Sequence, residues 1–289
     1  MFITRGDTGN GRSGIIFTDG KRFMKDTLSE KDQCLVSDPQ AFFEYLRTGY
    51  DEGRLIEIPE PRSYLTPSPV ERIFLPAVNF RAHSAESSMR ENDSPYFFLK
   101  FKSSLVNHKG ISYIPRNVKQ YDYEGEIAIV IGKKGKYLTK KDAGEVVFGY
   151  SIVNDLSVRD YQMTEFPRYG KNWVLGKAGD FALPYGPWIL LATEVESFEF
   201  TIRTYVNGEK RQDGSTKDMI FSVEELIAEM SKVTTLRPGD IITTGTPSGV
   251  AVHSGKGFLK DGDMVEVEVP KIGKLETTIK KEDSNNIPY

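Results

Sequence analysis

Residues 121–131 read Tyr-Asp-Tyr-Glu-Gly-Glu-Ile-Ala-Ile-Val-Ile, an apolar run whose first half carries acids. Such a run predicts a largely buried strand. Side chains alternate across a strand, so Glu124, Glu126, Ala128 and Val130 fall on one side. A second run, Phe148–Asp155, predicts another buried strand that ends in an acid. Turn signals divide the remaining short runs: Asp19-Gly20 lies between Gly14–Thr18 and Arg22–Lys25, with Asn207-Gly208 and Asp261-Gly262 further on. Helix signals are fewer. Asp38 precedes Pro39, an apolar stripe of Phe42, Phe43 and Leu46 follows, and Gly49 comes after its end. Thr139 with Asp142, and Ser222 with Glu225, are N-terminal capping pairs. The chain therefore reads as α+β and mostly β. Pro59, Pro61, Pro67 and Pro69 predict a boundary between a small N-terminal domain, 1–60, and a larger domain, 61–289.

With 289 residues, 38% of them hydrophobic, the chain can bury a sizeable core. A net charge of -3 and the lack of a basic block argue against nucleic acid as a partner. Neither a signal-peptide run at the N-terminus nor an apolar stretch of membrane-spanning length is present, which predicts no membrane association. The lone Cys34 excludes an intramolecular disulfide and a multi-cysteine metal site, and fits a reducing, cytoplasmic compartment. Gly9-Asn10-Gly11-Arg12-Ser13-Gly14 matches a dinucleotide fingerprint in spacing only. Ile15, Ile16 and Phe17 continue it as strand, not helix, so it reads as a hairpin loop.

Two carboxylates on one side of a strand repel each other, and burial sharpens the repulsion. The pair persists if a proton is shared, a cation is bound, or the strand end lies in water. Asp155 offers a third acid. Three carboxylates without a cysteine suit a hard dication, Mg²⁺ or Mn²⁺, rather than zinc; ordinary surface acids are the alternative reading. His83 and Glu86 stand at i and i+3, so on a helix the carboxylate can orient the imidazole as a base. Read alone, they also suit an ordinary surface pair. His108 and His253 lack such a partner and read as structural. Lys177, between Gly176 and Gly179, is either solvated or reaches into a cleft. The turn Thr243–Val250 carries hydroxyls and amides suited to holding a carboxylate.

These segments, in this order, resemble the fumarylacetoacetate hydrolase family. The resemblance runs over about residues 70–280. It is carried by Asn79–Glu86, Phe97–Lys100 with Ser103–Val106, Asp122–Ala128, Gly149–Gln162, Gly186-Pro187-Trp188, Val206–Glu209, Asp218–Ser222, Thr244–Val250 and Gly262-Asp263. It implies a mixed β-sandwich roll and a metal-dependent enzyme acting on a 2-oxo acid. By resemblance Glu124, Glu126 and Asp155 bind Mg²⁺ or Mn²⁺, and His83 with Glu86 activates water from a lid. Lys177 polarises the substrate, while Arg159, Gln162 and Thr246 hold its carboxylate or oxo group. A homodimer is also implied. The expected reaction is hydrolysis of a C–C bond in an acylpyruvate or fumarylacetoacetate-like acid through an enolate. Alternatives are lyase or isomerase chemistry: oxaloacetate decarboxylation, dehydration of a 2-keto-3-deoxy sugar acid, or isomerisation of 2-hydroxyhepta-2,4-diene-1,7-dioate. A further alternative is a catalytically silent binding protein, which predicts loss of an acid, the dyad or the lysine; all are present. Phe80 stands where the family commonly has tyrosine, and Ala77-Val78 where it has Gly-Leu.

Overall fold

The computed structural model describes residues 1–9, 12–48, 51–87, 93–166 and 170–283. Among them, eleven strands form one sheet and five form a second. The middle of the large sheet runs Leu183–Leu191, Val147–Asn154, Gly125–Ile131, Ile241–Thr243. These strands are apolar on both sides because both faces of the sheet are covered. Beyond Leu183–Leu191 lie Phe2–Asp7, Ser13–Thr18, Phe23–Asp26 and Leu55–Ile58, so the first strands of the chain continue the same sheet. Beyond Ile241–Thr243 lie Ile73–Pro76 and Phe97–Lys100. The smaller sheet orders Glu209–Ser215, Thr201–Val206, Met264–Val269, Gly273–Lys281 and Gly110–Ile114.

One face of the large sheet presents Ile127, Ile129, Ile131 and Ile152. They pack on Ile202, Val267, Val269 and Leu275 of the small sheet, with Leu226, Ile227 and Met230 of helix Val223–Ser231 in the same core. The other face presents Ala128, Val130 and Val153, which share a core with Phe42 and Phe43 of helix Pro39–Thr48. Each fully buried side chain of this size contributes ~1.5–3 kcal/mol. This is the mixed β-sandwich that the family resemblance implied. Among the described residues no helix is long and apolar enough to cross a membrane.

Turn and cap signals are realised locally. Asp19 Oδ1 accepts the amides of Lys21 and Arg22, joining Ser13–Thr18 to Phe23–Asp26. Asn207 and Gly208 take φ 51° and 80° in the hairpin between Thr201–Val206 and Glu209–Ser215. Both capping boxes form, and Asp38 accepts the Ala41 amide at 2.7 Å. Gly49 and the Asn10-Gly11 centre of the glycine loop lie outside the described residues.

The 121–131 run is not one strand. Tyr121–Asp122 pairs with Ser157–Val158, and the main strand begins only at Gly125. At the break the Glu124 amide donates to Asn154 Oδ1 at 2.9 Å. Antiparallel register then sets Gly125 opposite Asn154, and the Asp155 amide donates to the Glu124 carbonyl at 2.8 Å. The start of one strand thus meets the end of the other, and their acids meet with them.

Candidate active site and metal centre

Glu124, Glu126 and Asp155 each offer an oxygen within 4.8 Å of the others. They are 6%, 1% and 0% exposed, so the reading as solvated surface acids is excluded. The glycine between the two glutamates has a steric cause. A Cβ at Gly125 would stand 2.4 Å from Thr204 Oγ1 and 2.9 Å from Val267 Cγ1, so the strand lies flush on the small sheet. Glu126 Oε2 accepts the Gly245 amide at 3.0 Å. Gly245, at φ 78°, takes the left-handed turn that aims this amide at the acid.

Cations surround the cluster. Lys177 Nζ donates to Glu124 Oε2 and to Asp155 Oδ2, each at 2.7 Å. Arg159 donates from Nη2 to Glu124 Oε1 at 2.5 Å, from Nε to Asp122 Oδ2 at 2.9 Å, and from Nη1 to Gln162 Oε1. Lys100 Nζ lies 3.0 Å from Asp155 Oδ1, but its hydrogen bonds go to the Leu156 and Ala182 carbonyls at 2.8 Å. Asp155 Oδ1 is buried with the Lys100 ammonium as its partner.

These partners split the acids. Burial pushes the Glu124 carboxyl up, yet the Lys177 ammonium and Arg159 guanidinium hold it well below the usual range. Burial also raises Glu126, and Asp155 and Glu124 raise it further. Burial lowers Lys100 despite Asp155 beside it. Lys177 is desolvated too, but Asp155 and Glu124 outweigh that and raise it. Three buried carboxylates, each offering an oxygen within 4.8 Å of the others, fit a hard dication.

His83 and Glu86 sit on helix Arg81–Ser87. Asp218 Oδ2 accepts the Ala82 amide in its first turn. His83 is buried, and its Nδ1 lies 3.8 Å from Glu86 Oε1, an ion-pair distance rather than a hydrogen bond. Glu86 Oε2 accepts the Gly249 amide at 2.7 Å. Burial would raise the Glu86 carboxyl, but His83 and this amide hold it low. A Cβ at Gly249 would meet the Arg211 carbonyl at 2.4 Å, so a larger residue cannot present that amide unshifted.

The remaining expected residues gather nearby. A Cβ at Gly176 would lie 2.5 Å from Gln162 Cβ. Helices Arg159–Gln162 and Trp173–Lys177 therefore touch, and Arg159 and Lys177 reach the same acid. Thr246 Oγ1 donates to the Gly125 carbonyl at 3.0 Å and accepts from Gln212 Nε2 at 2.8 Å, so its hydroxyl is engaged within the protein. Phe80 is wholly buried in the core between the sheets, where it packs rather than lines the site.

Residues missed by sequence reasoning complete the surroundings. Lys100 follows exposed Leu99 on an alternating strand, so its inward position was the available signal. Asp122 accepts the Ala251 and Val252 amides at 2.8 and 3.1 Å besides Arg159. His253, read as structural, lies with its ring centroid 6.2 Å from that of His83. His108 does act structurally. Its Nδ1 accepts the Glu276 amide at 3.2 Å, and burial, then Lys109, pushes its pKa down to about 4.

The family model for the fumarylacetoacetate (FAA) hydrolase C-terminal domain matches residues 72–280, and the chain belongs to this family. An oxaloacetate tautomerase of Bacillus subtilis is 40% identical over 222 residues, covering 74% of this chain and 71% of the relative. A fumarylacetoacetate hydrolase structure from Exiguobacterium antarcticum superposes with a TM-score of 0.82 at 31% identity, over 98% of this chain and 100% of that one. The fumarylpyruvate hydrolase structure from Pseudomonas aeruginosa, in complex with Mn²⁺ and pyruvate, matches with a TM-score of 0.67 at 30% identity, over 78% and 94%. The chain is accordingly a metal-dependent enzyme of this family.

Proposed function

We propose that this enzyme enolises a 2-oxo acid, and that keto–enol tautomerisation of oxaloacetate is its reaction. The observation that carries the reading is Lys177 Nζ at 2.7 Å from both Glu124 and Asp155, a buried cation at the edge of a three-acid cluster. The oxaloacetate tautomerase relative, at 40% identity, supports the substrate. A Mg²⁺ or Mn²⁺ ion held by Glu124, Glu126 and Asp155 would supply Lewis acidity at the oxo group. Lys177 sits where it can stabilise charge developing on the oxo oxygen. Arg159, Gln162 and Thr246 offer contacts for the substrate carboxylate or oxo group. His83, oriented by Glu86, moves the proton at C3.

A second reading is hydrolysis of an acylpyruvate, supported by the fumarylpyruvate hydrolase neighbour. There the same His83 would take its proton from an attacking water. Two assays separate them, each run with and without EDTA: ketonisation of enol-oxaloacetate, followed by loss of enol absorbance, and pyruvate release from acylpyruvates. Metal-dependent ketonisation without pyruvate release supports the tautomerase. Pyruvate release without catalysed ketonisation overturns it. A homodimer belongs to the same reading. Exposed Tyr96, Leu99, Phe101, Val174 and Leu175 leave apolar surface on and flanking strand Phe97–Lys100 and on helix Trp173–Lys177.

A further inference from the structure

We propose that His253 is a second imidazole of the active site, relaying protons between His83 and solvent. The proposal rests on the reading of His83 and Glu86 as the base. A base must reset in every turnover. His83 is 6% exposed and its Nδ1 faces Glu86 with no hydrogen bond of its own, so it exchanges poorly with bulk water. His253 is half-buried, with one side toward solvent. Its ring plane is tilted 59° to that of His83, and the centroids are 6.2 Å apart. At that separation one bridging water can link the two rings.

His253 is also held in place. It lies on the short helix Ala251–Ser254, whose first two amides donate to Asp122. Asp122 in turn holds Arg159, which holds Glu124. The same loop grips Glu86 through the Gly249 amide. A single segment therefore fixes both the carboxylate and the second imidazole against helix Arg81–Ser87.

The charged groups facing His253 are His83, Glu86, Arg159 and Asp122. Burial, then the like charge available to His83, lowers the His253 pKa, with Glu86 opposing. A resting neutral ring is thus ready to accept. The step balances as one proton. His83 takes it from carbon or water and passes it to a lone pair of His253, which releases its own proton to solvent or buffer. Run in reverse, the relay returns a proton to substrate.

The test is His253→Gln, compared with wild type at fixed pH and ionic strength over graded imidazole concentrations. Expected are a kcat lower by about 10- to 100-fold, an unchanged KM, and recovery of kcat with imidazole, to which wild type is indifferent. An unchanged kcat, a loss that imidazole does not restore, or a raised KM with kcat intact overturns the proposal. A second readout needs no turnover. The chain has three histidines, so their ring protons can be titrated individually by NMR. In His83→Asn the pKa of His253 should rise, because a like charge is removed; an unmoved value overturns the relay. If wild type turns over no 2-oxo acid, the proposed function fails, and the titration alone decides the pair.

Discussion

Lys100 Nζ lies 3.0 Å from Asp155 Oδ1, and both side chains are 0% exposed. Removing one partner of a buried pair leaves an uncompensated charge and costs about 3–5 kcal/mol. Lys100→Met should therefore lower the Tm of the metal-free protein by roughly 10 °C at the 2–4 °C per kcal/mol of large domains. The variant's site is also more negative. Added Mn²⁺ should then raise its Tm by more than it raises that of wild type. Equal metal-induced shifts in calorimetry would show that Lys100 does not balance this cluster.

Glu126→Gln should abolish metal binding and turnover while the metal-free fold survives. The amide has the shape of a protonated carboxyl, the form that burial and two neighbouring acids favour at this position. Titration calorimetry with Mg²⁺ or Mn²⁺ should give no binding heat, and the metal-free stability should match wild type to within about 1 kcal/mol. Metal content and activity equal to wild type would remove Glu126 from the centre.

The same acid sets a pH dependence. Its folded pKa is raised above the ordinary 4.5. Its contribution to stability is thus fully present below 4.5 and is lost as pH rises through the raised value. Metal-free Tm should fall with rising pH across this window, and Glu126→Gln should flatten that slope. Bound dication reverses the sign, since a metal competes with the proton and gains affinity as pH rises. Thermal scans with and without EDTA over a pH series check both.

His83→Ala should lower kcat by about 10²–10⁴ and leave metal affinity unchanged. The imidazole stands beside Glu86, outside the cluster of three acids. Parallel kinetics and metal titration separate the roles. A variant as active as wild type rules out the base.

Gly125→Ala introduces a methyl group 2.4 Å from Thr204 Oγ1. Overpacking of this kind costs about 1–3 kcal/mol, and the strain falls between two of the acids. Both Tm and metal affinity should drop. An unchanged Tm in denaturation would mean that the two sheets are less tightly joined here than the contact distance implies.

Much of the local structure was legible in the chain. Asp19-Gly20, Asn207-Gly208 and the two capping boxes act within a few residues, so their chemistry suffices to place a turn or a helix start. The alternation that set Glu126 on one side with Ala128 and Val130 is likewise a property of one strand. The run 121–131 misled at Glu124, because apolar content cannot register that an amide will leave the ladder for a side chain thirty residues away.

Sequence by itself determined which residues could do the chemistry: three acids, a histidine with its glutamate, a lysine, and a family that uses such a set. Only the tertiary structure decided their company. Register between two antiparallel strands brought Asp155 to Glu124, and the contact of two short helices delivered Lys177 and Arg159 to the same carboxylate. Lys100 reaches Asp155 from a segment more than fifty residues earlier in the chain, and the His253 ring comes within 6.2 Å of that of His83 from the far side of it. No spacing rule reaches across such separations, because long-range packing, not local propensity, closes them.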